Sequence, residues 1–198
     1  MSITQNIIDA LKNQEINPDS AQLDLIKKLA NLKFKKGFVK SIKKFGSNDN
    51  LGIYIWGDVG RGKTLIINQY LKQLNPDDYK SFHYIDLMSF VHNELNINSG
   101  TKDPLDEVAR SLMKKCNLIF IDEFQVEDVS DAMIIGNLLI KILNSGTKII
   151  ITSNSHPNDL YKDGLQREKF IKLIKICSKK LEIFMLDGKI DYRLRNII

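Results

Sequence analysis

No stretch of the 198-residue sequence is apolar for the ~20 residues that a bilayer-spanning helix needs, so a membrane-embedded bundle is not expected. The N-terminal MSITQNIIDALKNQEINPDS lacks a basic region ahead of an apolar stretch and lacks a small-residue cleavage site, so no secretory leader is expected and the setting reads as cytoplasmic. Cysteine is scarce: Cys116 and Cys177 do not have the close spacing of a metal site and read as reduced packing residues. There is no internal repeat and no low-complexity segment. His83, in a predicted strand, and His92, in a predicted helix, have no cysteine or carboxylate at metal-ligand spacing and read as structural histidines, with His156 as a loop residue.

What is present fits one domain with a real core. Hydrophobic residues make up 43% and charged residues 27%, with a net charge of +5. Much of the excess charge sits in KFKKGFVKSIKKF, where Lys33, Lys35, Lys36, Lys40, Lys43 and Lys44 interleave with Phe34, Phe38, Ile42 and Phe45 at near-helical spacing. An amphipathic helix with solvated lysines is the plain reading. A face for nucleic acid, anionic lipid or an acidic partner is the functional one.

Two helices lead the chain, ITQNIIDALK and SAQLDLIKKLANL, the second with Asp19 or Ser20 as its cap. Five short apolar runs follow: LGIYIW, FHYID, NLIFID, TKIIITS and LEIFML. Helical patterns separate them, at Lys63 to about Leu74, LMSFVHNEL, Pro104 to Lys115, VSDAMIIGNLLIKIL and Gln166 to about Ile176. Strands alternating with helices imply a mostly parallel sheet covered on both faces, an α/β fold.

Between the first strand and its helix lies GDVGRGKT, made of Gly57, Asp58, Val59, Gly60, Arg61, Gly62, Lys63 and Thr64. Its glycines let the backbone turn tightly and aim successive N–H groups inward, and the following helix adds its positive end, so the loop reads as an anion cradle. In the pattern G-x-x-x-x-G-K-T, Lys63 reaches the β- and γ-phosphates of a nucleotide such as ATP and the Thr64 hydroxyl ligates Mg²⁺. NLIFIDEF supplies the second half: Asp122 would hold Mg²⁺ and Glu123 would act as general base at a strand's carboxyl end. Asn154, after TKIIITS, would orient the attacking water. Arg167 opens a helix, where the dipole disfavours a cation, and so reads as an arginine finger for another subunit's nucleotide. No N-K-x-D guanine motif and no L-S-G-G-Q signature is present, which argues against small GTPases and ABC transporters.

In order along the chain, GIYIWGDVGRGKT, FHYIDLMSFVHNEL, DPLDEVARSL, LIFIDEFQVEDVSDAM, TSNSHPNDLYKDGLQREKF and DYRLR resemble the successive motifs of the AFG/ZapE-like AAA+ ATPases. The resemblance implies a P-loop NTPase of AAA+ type, with a three-layer αβα core and a five-stranded sheet. It also implies that residues 57–64 are the Walker A loop, Asp122 and Glu123 Walker B, Asn154 sensor one and Arg167 the finger. It implies ATP and Mg²⁺ as cofactors, a homo-oligomer, and a protein partner from the division machinery or from protein quality control. Residues 1–48 are expected to be an N-terminal helical segment packed on an ATPase core of residues 49–198. Family members continue past DYRLR into a helical lid, so that lid is expected to be absent or truncated, with Arg193 and Arg195 pairing with carboxylates on a terminal strand. Nucleic-acid-linked loading, with residues 33–44 as the contact, and a nucleotide-dependent scaffold with little turnover are the alternative functions.

Overall fold

A computed structural model describes residues 2–32, 50–114 and 116–187. The basic segment 33–44, Lys115, and Arg193 and Arg195 of the DYRLR motif lie outside the described residues.

Two helices come first, α1 (Ile3–Lys12) and α2 (Ser20–Ala30). Then β1 (Gly52–Trp56), α3 (Lys63–Leu71), β2 (Tyr79–His83), α4 (Tyr84–Ile97), α5 (Pro104–Met113), β3 (Leu118–Asp122), α6 (Val129–Asn144), β4 (Lys148–Ser153), α7 (Arg167–Ser178) and β5 (Glu182–Met185) follow. The five strands form one sheet in the order β2-β3-β4-β1-β5, and every pairing in it is parallel.

The inner strands are apolar on both sides because both of their faces are covered. Along them, alternate residues enter opposite layers. Tyr54, Ile119, Ile121, Ile149 and Ile151 join Leu87, Val91, Leu112, Leu138 and Phe170 of α4 to α7. Ile53, Ile55, Leu118, Phe120 and Ile150 join Ile7, Leu25, Ile26, Ile66 and Tyr70 of α1 to α3. The result is a three-layer αβα architecture. Ile150 is fully buried, and truncation to alanine there would cost about 2–5 kcal/mol.

One strand lies elsewhere than its sequence suggests. FHYID was expected as the second strand, yet β2 ends at His83 and Tyr84 already begins α4. Tyr84, Leu87, Met88 and Val91 are buried at helical spacing, and that face outweighs the short β-like alternation. β2 itself, YKSFH, is an edge strand without an apolar run. Other boundaries move by no more than about three residues, the usual fraying range of helix ends. Asp19, rather than Ser20, caps α2: its carboxylate accepts from Gln22 N, and the Gln22 side chain returns to the Asp19 N–H in a capping box.

Candidate functional site

In a parallel sheet all carboxyl ends share one rim, and β3, β4 and β1 are consecutive there. The loop 57–62 leaves β1 at that rim and runs into α3. Gly57 has φ +150°, and a Cβ on it would stand 2.5 Å from the Leu186 carbonyl oxygen. Gly62 caps α3 at φ +82° without any side-chain bond to the helix's first turn, which leaves the positive helix end open toward the loop.

Lys63 is buried, 8% exposed. Its Nζ donates to Gly57 O at 2.6 Å, Asp58 O at 2.9 Å and Asn154 Oδ1 at 3.0 Å. Burial pulls the Lys63 ammonium below the usual lysine value, and the charges of Asp58, Asp122 and Glu123 oppose that pull. Among the described residues no carboxylate comes within ion-pair distance of this ammonium. A buried ammonium bonded to neutral oxygens is stabilised further by direct contact with an anion, and a phosphate group supplies one.

Thr64, the next residue, donates from Oγ1 to Asp122 Oδ1 at 2.9 Å. Thr152 of β4 donates to the same carboxylate oxygen and accepts from Glu123 N at 3.0 Å. A hydroxyl and a carboxylate side by side are the hard oxygen donors that Mg²⁺ takes, so Thr64 and Asp122 fit that cation.

Glu123 stands at φ +52°, a left-handed conformation that costs a non-glycine residue roughly 1–2 kcal/mol. The turn is fixed by Phe124 N donating to Thr152 O at 2.8 Å. It sends the carboxylate outward, 66% exposed, to within 2.9 Å of His83 Nε2. An ionised carboxylate only accepts, so the imidazole N–H donates. His83 is level with Asp122 in the parallel register of β2 and β3.

The structure therefore makes two hydrogen-bonded pairs, Lys63 with Asn154 and Thr64 with Asp122, set side by side because residues 63 and 64 are consecutive, with Glu123 next to Asp122. At the loop tip Asp58 and Arg61 approach to 3.7 Å, and Val59 is 51% exposed. Arg167 has no bond to any of these residues. Its Nη2 donates to Asn158 O at 2.5 Å, and its Nε is buried without a partner among the described residues. That bond ties the start of α7 to the Pro157–Asp159 turn.

Three contacts escaped the sequence reading: His83 on Glu123, Thr152 between Asp122 and Glu123, and Gln22 on the glycine loop. Had the second strand been ended at His83, its level with Asp122 would have pointed to the first. Thr152 sits in an apolar run and carries no local signal. Cys116 and Cys177 are free and buried. His92 pairs with Asp131 at 2.7 Å. Among the described residues no helix is long and apolar enough to cross a membrane.

Comparison with known proteins identifies the family. The cell division protein ZapE of Escherichia coli (strain K12) is 35% identical over 146 residues, covering 74% of this chain and 39% of ZapE. Lactation elevated protein 1 homolog B of Danio rerio is 34% identical over 157 residues, covering 74% of this chain and 31% of that protein. The chain thus spans well under half the length of these relatives. Among solved structures, DnaI superimposes with a TM-score of 0.58 at 18% identity, covering 88% of this chain and 86% of DnaI. The replication initiator DnaA bound to AMPPCP and single-stranded DNA gives 0.57 at 16% identity, covering 92% and 51%. These likenesses are of fold, that of the P-loop AAA+ proteins. The profile of one family, the AFG1-like ATPases, matches residues 1–198 from end to end, and the chain belongs to that family.

Proposed function

We propose that this protein is a Mg²⁺-dependent ATPase of the cytoplasm that hydrolyses ATP to ADP and phosphate and couples turnover to the regulation or remodelling of a protein partner in cell division. The observation that carries the reading is the buried Lys63 ammonium, held by three neutral oxygens in a glycine loop at a helix N-terminus. Family membership supports ATP as the anion, and the printed name of the ZapE relative supports division as the setting.

In this reading residues 57–64 gather the β- and γ-phosphates through backbone N–H groups, and Lys63 pairs with their charge. Thr64 and Asp122 would hold Mg²⁺, which when bound neutralises charge on the phosphate oxygens. Once phosphate takes over the Lys63 ammonium, Asn154 is released to orient water. Glu123 accepts that water's proton as general base. Arg167 acts in trans on a neighbouring copy's nucleotide in a homo-oligomer. We draw the domain division between residues 1–48 and 49–198, with α1 and α2 of the first part packed on the core.

The test is Mg²⁺-dependent ATP hydrolysis against protein concentration for the wild type, Glu123→Gln and Arg167→Ala. Glu123→Gln is expected to keep ATP binding while turnover falls about 10²- to 10⁴-fold. Arg167→Ala is expected to abolish the dependence on concentration. Equal rates in all three proteins would overturn both roles.

A further inference from the structure

Gln22 is a polar side chain only 3% exposed, far in sequence from the glycine loop. It lies in the first turn of α2, a helix docked by the fully buried Leu25, Ile26 and Leu29. Its Oε1 accepts from Asp19 N at 3.1 Å, which fixes the amide's orientation. Its Nε2 donates to Arg61 O at 2.9 Å, across 39 positions of sequence.

The bond falls at a sensitive place. Arg61 O and Gly62 N–H belong to one peptide unit, which is planar and trans, so they point in opposite directions. Holding the carbonyl toward α2 turns the Gly62 N–H away from α2. Gly60 and Gly62, at φ +84° and +82°, flank a backbone that could otherwise rotate at little steric cost. A donor already fixed in place binds an anion without paying for its own ordering.

We infer that Gln22 is a positioning residue for the phosphate cradle: by anchoring the Arg61 carbonyl it keeps the Gly62 N–H aimed at a bound phosphate. The inference rests on the reading of residues 57–64 as that cradle. It makes the N-terminal helices part of the nucleotide site's preorganisation and not only a cover for the sheet.

Gln22→Glu separates the two bonds. A glutamate keeps an acceptor for the Asp19 N–H but cannot donate to Arg61 O. Gln22→Met, uncharged and of similar length, removes both bonds and serves if the glutamate variant does not fold. Asp19→Ala removes the helix cap while leaving the Gln22-to-Arg61 bond. Calorimetric titration of the full chain with Mg²⁺-ATP and with inorganic pyrophosphate, beside the melting temperature of each protein, reads them all. The Gln22 variants are expected to lose about 5- to 20-fold in affinity for both ligands, the size of one to two hydrogen bonds. Asp19→Ala should melt lower with pyrophosphate affinity kept. Unchanged pyrophosphate affinity in the Gln22 variants would overturn the inference, as would an affinity loss in Asp19→Ala equal to theirs. If the wild type binds neither ligand, the cradle reading falls and this inference with it; if the wild type binds and the Gln22 variants match it, only the inference falls.

Discussion

His83 Nε2 lies 2.9 Å from Glu123 Oε2, so the carboxylate proposed as general base is already engaged by an imidazole from the neighbouring strand. A hydrogen bond donated to the carboxylate occupies one of its lone pairs and competes with water for that oxygen. His83→Ala is therefore expected to raise basal ATP hydrolysis by about fivefold, the worth of one net hydrogen bond, without changing ATP affinity. Steady-state hydrolysis and ATP titration of the variant check this; a tenfold fall in turnover would instead make His83 necessary for placing Glu123.

The depressed Lys63 value sets a pH dependence of opposite sign for binding and for stability. As pH rises toward the ordinary lysine value of 10.5, Lys63 in the ligand-free fold loses its proton before a lysine of the unfolded chain does. ATP affinity should then fall at a lower pH than an ordinary lysine would dictate, because the neutral amine no longer pairs with phosphate. Over the same window the folded state binds fewer protons than the unfolded one, so the contribution of Lys63 to stability rises with pH. ATP titrations and ligand-free melting curves between pH 7 and 10 should show the two trends, and Lys63→Arg should flatten both.

Burial pushes the Cys177 thiol up to about 12, and Cys116 is raised by burial as well. At pH 8 the thiolate fraction of Cys177 is then ~10⁻⁴, too little for ready alkylation. Iodoacetamide should leave the folded protein's Cys177 unmodified and label it in urea, with mass spectrometry as the readout. Above the ordinary thiol value of 9.0 the unfolded chain sheds protons that folded Cys177 keeps, so stability falls with rising pH through that window.

Gly52 faces a sharper restriction. A Cβ there would sit 1.7 Å from the Ile149 carbonyl oxygen, inside the β1–β4 pairing. Gly52→Ala should destabilise by about 3 kcal/mol or more. Gly100→Ala, with nothing within 4 Å, should change the melting temperature little.

The central strands were legible because burial on both faces writes itself as continuous apolar runs, as in LIFID and KIIITS. The positions of Gly57 to Thr64 and of Asp122 were legible for a related reason: polar residues that end such a run must lie at the sheet's rim. β2 was not legible to the residue, since an edge strand with polar positions has no run to read and the helix that follows shares its aromatics. The contacts of His83, Thr152 and Gln22 depend on register and on the docking of α2, neither of which any local window of sequence contains.

Arg167 is held at home by the Asn158 carbonyl. If the guanidinium is to reach into an adjoining copy, that tether must first let go, so extension of the finger and loosening of the Pro157–Asp159 corner become one movement. Assembly would then be reported inside each protomer, at a turn that begins three residues after Asn154, and the sensing of a neighbour and the orienting of water would share a short length of backbone.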